Sequence, residues 1–170
     1  MEQWDLYTVD RVKTGRVMNK NDPVPAGMYH MQVHVVVFNR TGQMLIQQRT
    51  ESKQWFPGLW DYSVGGRAQA GETSAQAAER EVQEEIGLTV QLQGSPPLLT
   101  RTYDEVFDDY YLVRADVPAD ALTLQTEEVQ AVRWASREDI YRLQDEGRFC
   151  PNPRGMIDLL FDLNEEGLAR

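Results

Sequence analysis

Three glutamates, Glu81, Glu84 and Glu85, follow one another at i, i+3 and i+4 in the run R-E-V-Q-E-E-I-G. On a helix this spacing puts their carboxylates on one face. Like charges so placed repel by roughly 0.2–0.5 kcal/mol per pair. A surface chosen for stability would intersperse Lys or Arg, so the cluster anticipates a cation. Carboxylate oxygens without thiolate or imidazole suit Mg2+ or Mn2+. An isolated E-x-x-E-E would read more simply as the solvated acidic face of an amphipathic helix, so the surroundings decide.

The element that must carry these groups is predicted over Thr73–Ile86, following a glycine-flanked loop that begins at Gly66. Thr73 with Gln76 three residues later fits a capping box. Ala75, Ala78, Val82 and Ile86 supply a buried stripe at spacings of three and four. Gly87 is placed to stop the helix in the left-handed conformation. The small alanines imply close packing against a sheet, which would hold the acidic face rigidly.

The rest of the chain supplies that sheet. Val-rich Gln32–Phe38 reads as a buried strand, Asn39–Gly42 as a turn, and Gln43–Gln48 as the partner strand. A loop from Arg49 to Trp60 leads to a short strand, Asp61–Val64. Beyond the helix, Val90–Gln93, Leu98–Tyr103, Tyr110–Ala115 and Val129–Trp134 are strand candidates. Ser136 caps a helix that ends at Gly147. A last helix runs from Arg154 to about Leu168, with Met156, Ile157, Leu160 and Phe161 on its core side. Residues 1–20 read as a hairpin: Trp4–Val9, a turn at Lys13-Thr14-Gly15, and a return over Arg16–Met18. Breaker-rich Asn21–Gly27 links it to the main domain. The expected organisation is a hairpin and linker over 1–27 and an α/β domain over 28–170.

Composition narrows the function. The chain has 170 residues, 41% of them hydrophobic, and a mean hydropathy of −0.54, which suits one domain with a real core. No apolar run approaches the roughly 20 residues needed to span a bilayer. The N-terminus lacks the basic and apolar regions of a secretory signal. Cys150 is the single cysteine, so an intramolecular disulfide is impossible and a cytoplasmic location is expected. A net charge of −10 argues against a nucleic-acid surface. It does not argue against a small anionic substrate, because a bound divalent cation reverses the local sign. The hairpin offers a strand edge through which a homodimer can form.

Written out, Gly66–Leu88 is G-x5-E-x7-R-E-V-x-E-E-x-G-L, with Gly66, Glu72, Arg80, Glu81, Val82, Glu84, Glu85, Gly87 and Leu88 in the fixed places. This resembles an intact Nudix box, the signature of the Nudix hydrolases. The resemblance implies an α/β/α sandwich with a mixed sheet, here extended by the N-terminal hairpin. It also implies Mg2+- or Mn2+-dependent cleavage of a diphosphate linkage in a nucleoside-diphosphate derivative or another organic diphosphate. By resemblance the metal ligands are the Gly66 carbonyl with Glu81, Glu84 and Glu85. Glu81, Glu84 and Arg80 form the catalytic set. Arg80 braces the carboxylates, and Glu72 supports them or adds a ligand. The general base is Glu81 or a carboxylate from a later loop: Asp104, Glu105, Asp108, Asp109, Glu127 or Glu128.

On the substrate side, Arg49 and Lys53 are spaced to reach one anionic group, and Trp55 or Trp60 could stack on a base. The competing reading makes the tryptophans core and the basic residues solvated. The stretch from His34 through R-T-E-S-K and F-P-G-L-W-D also resembles the Nudix branch that contains isopentenyl-diphosphate isomerases. There Arg49 and Lys53 match residues that grip diphosphate. That isomerase needs a Cys and a His just before the box, where this chain has Asp61-Tyr62-Ser63-Val64-Gly65-Gly66. A hydrolase is therefore the expectation, with the isomerase and a non-catalytic nucleotide sensor as alternatives. His30 and His34 share a strand face but sit roughly 13 Å apart, so structural roles are expected rather than a shared ion. Cys150 beside Pro151 is expected to be inert.

Overall fold

The structure, a computed structural model, describes residues 2–167. The strands are β1 (Gln3–Tyr7), β2 (Lys13–Asn19), β3 (His30–Phe38), β4 (Met44–Arg49), β5 (Trp60–Asp61), β6 (Val64–Arg67), β7 (Leu99–Tyr103), β8 (Val106–Arg114) and β9 (Val129–Ala135). The helices are α1 (Ser74–Ile86), α2 (Arg137–Asp145) and α3 (Arg154–Glu165). The expected end of α3 at Leu168 lies outside the described residues. β1 and β2 form a hairpin of their own. The other strands make a seven-stranded sheet in the order β5-β4-β3-β8-β7, with β6 beside β3 and β9 beside β4. This mixed sheet with helices is an α/β fold carrying an N-terminal hairpin. Among the described residues no helix is long and apolar enough to cross a membrane.

The contacts gather into two compact units. One takes the chain up to His34 with Gly65–Glu81 and Gln91–Tyr111; the other takes Val35–Val64, Val82–Val90 and the chain from Leu112 onward. In the first unit, Trp4, Leu6 and Met18 of the hairpin form a core with Val24 and Met28 against it. The hairpin does not turn at Lys13–Gly15. It turns at Thr8–Val12, where Thr8 N donates to Val12 O and Arg11 sits at φ 61°. A left-handed arginine costs roughly 1–2 kcal/mol. Its guanidinium compensates by gripping both oxygens of buried Asp109, at 2.9 and 2.8 Å. Gly15 instead lies within β2, where the register shifts and the strand bulges. β7 and β8 pair antiparallel from Leu99↔Tyr110 to Tyr103↔Val106. β8 thus begins at Val106, earlier than the expected Tyr110, and takes in Asp108 and Asp109.

In the second unit, β4 pairs with β9 from Met44↔Ala135 to Arg49↔Val129. Its other edge is shared, by β3 at Phe38↔Met44 and by β5 at Gln47↔Asp61 and Gln48↔Trp60. α2 opens on the expected Ser136, in a reciprocal capping box with Asp139. Ile157, Leu160 and Phe161 of α3 are buried, and Phe161 meets Phe38 edge-on at 5.0 Å.

Two strand expectations need correction. Val90–Gln93 is not a strand, because Leu92 N and Gln93 N donate to the Glu79 carboxylate at 2.5 and 2.9 Å and so have no need of a neighbouring strand. Asp61–Val64 is broken at Tyr62-Ser63: Ser63 Oγ accepts from Val37 N and donates to Leu45 O, replacing ladder bonds. The strand resumes as β6, so Gly65 and Gly66 lie on a strand rather than in a loop.

Candidate active site

α1 forms as its sequence dictates. Thr73 N donates to the Gln76 side chain, and Gln76 N donates back to Thr73 Oγ1, completing the capping box. Ala75, Ala78, Val82 and Ile86 are buried, and Ala77 joins them. Gly87 follows at φ 69° and stops the helix. The helix is unbroken from Ser74 to Ile86, so Glu81, Glu84 and Glu85 keep the i, i+3, i+4 spacing.

Arg80 is the centre of a brace. Its Nε and Nη2 donate to the two oxygens of Glu72 at 2.7 and 3.0 Å, and its Nη1 donates to Glu81 at 2.9 Å. Nη2 also donates to the Arg67 carbonyl at 3.0 Å, which ties the helix to β6. The Glu72 hydrogen bonds, with Glu81 adding its charge, raise the pKa of this guanidinium further, so it is always charged. Glu72 is itself fixed by accepting from Gln69 N at 2.8 Å.

Glu81 lies directly on the backbone of Gly66. A Cβ at Gly66 would stand 2.1 Å from Glu81 Cδ, so no other residue fits there without moving the carboxylate. The glycine is required for close approach and not for its dihedrals, since its φ is not positive. Glu85 is 5% exposed and accepts from the amide of buried Gln47 at 3.1 Å. Glu84 is exposed.

The expected donors, the Gly66 carbonyl and the carboxylates of Glu81, Glu84 and Glu85, are a hard oxygen set whose chemistry suits Mg2+ or Mn2+. The Gly66 cradle fits the same reading, because a carboxylate lies against the glycine's backbone. As the side chains stand, no three His, Cys, Asp or Glu among the described residues group closely enough to enclose an ion. Glu81 is turned onto Arg80.

The Arg49–Trp60 loop is pinned along its length. Arg49 donates through Nε to Trp55 O at 3.1 Å and stands 3.9 Å from Asp61. Lys53 is ion-paired with Glu128. The basic residues are therefore not simply solvated. The tryptophans divide: Trp55 is 67% exposed, while Trp60 is buried with Arg133 over its ring. Phe56, beside Trp55, is exposed at φ 52°.

Of the later carboxylates, Asp108 and Asp109 lie inside β8 and are 1% and 0% exposed. Asp109 is taken by Arg11 and also accepts from Thr100 Oγ1 at 2.6 Å. Asp108 holds His34 Nδ1 at 2.7 Å, and the His34 ring stacks on Tyr110 at 4.9 Å. A Cβ at Gly65 would touch His34 at 2.9 Å, so this imidazole sits against the glycine that precedes the box. Sequence reasoning missed the pair. Its signal was present: two aspartates within the apolar run Val106–Val113 require buried partners. His30 is buried, and burial with the Arg67 charge nearby lowers its pKa to about 4. Gln47, the amide on Glu85, was also missed; a polar residue in a buried strand is its only mark. Cys150 is buried, and burial and Asp61 push its thiol pKa up.

The fold and this box define the class, and similarity to known proteins agrees. The Nudix domain family model matches residues 28–159. The chain belongs to the Nudix family, and as an enzyme it is of the Nudix hydrolase type, acting on phosphorus-containing acid anhydrides. An uncharacterized Nudix hydrolase of Listeria monocytogenes is 42% identical over 151 residues, 89% of each chain. An isopentenyl-diphosphate Delta-isomerase of Pectobacterium atrosepticum is 32% identical over 134 residues, 73% of this chain and 71% of its own. A Deinococcus radiodurans crystal structure superposes with a TM-score of 0.74 at 25% identity, covering 94% of this chain and 99% of the other.

Proposed function

We propose that the protein cleaves a diphosphate linkage in a nucleoside-diphosphate derivative or another organic diphosphate, with Mg2+ or Mn2+, as a cytoplasmic enzyme whose catalytic domain begins at residue 28. The observation that carries this reading is the seat of Glu81 on Gly66, locked by Arg80 and Glu72. Such a seat has no use in a solvated acidic helix. The Gly66 carbonyl and the carboxylates of Glu81, Glu84 and Glu85 would hold the ion. Bound there, a divalent ion neutralises the diphosphate and acidifies the attacking water. The chain's own residues position the rest. Arg80 fixes the rotamer of Glu81, Glu72 fixes Arg80, and Gln47 orients Glu85. Arg49 and Lys53 lie on the pinned loop, where an anionic substrate can compete for them with Asp61 and Glu128. Trp55 is the exposed ring available for stacking, whereas Trp60 is buried under Arg133.

The isomerase relative keeps a second reading in view. Against it stand the lack of a cysteine in Asp61–Gly66 and the buried, raised-pKa thiol of Cys150, which makes a poor proton donor. Purified protein with Mg2+ or Mn2+ is to be assayed on nucleoside di- and triphosphates, nucleotide sugars, dinucleoside polyphosphates and isopentenyl diphosphate. Glu85→Gln should lower hydrolysis at least about a hundredfold. Equal rates in Glu85→Gln and wild type would sink the metal assignment. Conversion of isopentenyl diphosphate without phosphate release would overturn the hydrolase. Tight nucleotide binding without turnover would favour the sensor.

A further inference from the structure

Two consecutive glycines, Gly65 and Gly66, carry β6 into the box, and neither has room for a side chain. A Cβ at Gly65 would stand 2.9 Å from His34 Cδ2 and 3.0 Å from its Nε2. One at Gly66 would stand 2.1 Å from Glu81 Cδ. Successive residues of a strand project to opposite faces. The imidazole and the carboxylate therefore close on the same short stretch of main chain from opposite sides. Neither glycine has a positive φ, so space and not backbone conformation demands them.

The two sides are held by separate sets of residues. On the side of α1, Arg80 and Glu72 fix Glu81. β8 divides in the same way. The Tyr111 hydroxyl meets Ser74 of α1 at 3.0 Å, whereas Asp108 and Tyr110 hold His34. Asp108 takes Nδ1 at 2.7 Å, and the Tyr110 ring stacks on the imidazole at 4.9 Å and 19°. Asp108 is buried and the His34 side chain nearly so. Filling the space beside Gly65 would need only an apolar side chain. A buried carboxylate is costly unless it is paired and hydrogen-bonded. On Nδ1 it fixes the tautomer and the plane of the ring. Bonded at Nδ1 and stacked on one face, the imidazole cannot swing away from Gly65.

We propose that His34, oriented by Asp108 and Tyr110, is a positioning residue for the box: its ring backs Gly65–Gly66 from the face opposite α1 and holds the Gly66 main chain against the Glu81 carboxylate. The inference rests on the reading of Gly66 and Glu81 as donors to a divalent ion. His34 itself touches neither the ion nor the substrate. It limits how far the strand can retreat when the glutamate turns to the metal.

The test follows Mn2+ binding to the full chain by calorimetry, without substrate. Wild type should bind saturably, and Glu85→Gln should largely abolish binding. Gly65→Ala should weaken it about tenfold or more, because the main chain yields where the pinned ring does not. His34→Gln keeps an amide donor for Asp108 and loses the ring, and should weaken binding several-fold. The double variant separates positioning from packing. A glutamine can swing aside from the new Cβ, so Gly65→Ala with His34→Gln should bind more tightly than Gly65→Ala alone. Melting curves identify the variants that fold. A packing role would lower Tm and leave Mn2+ affinity as it is in wild type. If the His34→Gln variants do not fold, Gly65→Ala decides alone. Wild-type affinity in folded Gly65→Ala or His34→Gln, or losses that simply add in the double variant, overturns the role of His34 and leaves the metal site standing. No saturable Mn2+ binding to wild type, or binding indifferent to Glu85→Gln, ends the metal reading and this inference with it.

Discussion

Arg80 donates to two carboxylates and a carbonyl, all between 2.7 and 3.0 Å. Arg49 reaches its carboxylate only at 3.9 Å and spends its Nε on a loop carbonyl. The box brace is built from short, redundant, charge-assisted bonds around a glycine on which the Glu81 carboxylate rests. The Arg49–Trp60 loop is fixed through its main chain, yet it presents Trp55 and Phe56 to solvent. Over-determined geometry suits the step every substrate shares, because small displacements of reacting groups are costly. A pinned main chain with exposed rings suits the part that differs between substrates. The box should therefore govern turnover of any substrate, and the loop should govern which substrate is preferred.

The sharpest way to break this comparison is Gly66→Ala. The added Cβ must displace the Glu81 carboxylate, and a shift of about 1 Å in a group proposed to hold the ion costs on the order of a hundredfold. The loss should fall on kcat and be similar for every substrate tried. A loss confined to one substrate would place recognition in the box as well.

A second test concerns stability rather than turnover. His30 is held near pKa 4 in the folded chain against about 6.5 unfolded. The unfolded chain therefore takes up a proton that the folded chain refuses. Stability should be complete above about pH 7 and fall as pH drops through 6.5 towards 4. Between pH 7.5 and 5 the loss from this group is about 2 kcal/mol. Denaturant titrations of His30→Gln should lack this part of the slope, while the pH profile of turnover at the box stays that of wild type.

The smallest effect belongs to the loop. Trp55→Ala should raise KM several-fold for base-bearing diphosphates and leave isopentenyl diphosphate unchanged, since one stacked base is worth roughly 1–3 kcal/mol at most. An equal change for substrates with and without a base would remove stacking from the account.

The features that were legible in the sequence are those whose causes are local. The capping box at Thr73, the stop at Gly87, the alanine stripe and the valine strand each follow from neighbours within a few residues. So does the box, whose members lie within one strand, turn and helix. What sequence hid depends on partners far along the chain. Glu79 captures Leu92 and Gln93 and removes a strand that the local pattern favoured. Asp108 is read as a loop carboxylate until His34 is found beside it. Trp55 and Trp60 are indistinguishable on paper, and only Arg133 and the sheet decide which one is buried.

The clamp of Arg11 on Asp109 joins residues 98 apart. On a ribosome the first hairpin emerges long before its acceptor does. At roughly 5–20 residues per second, it waits on the order of 5–20 s with its left-handed turn unsupported. Over that interval Val9, Val12 and Val17, exposed even in the finished fold, are apolar groups open to a chaperone. The hairpin is thus made before the strand that secures it.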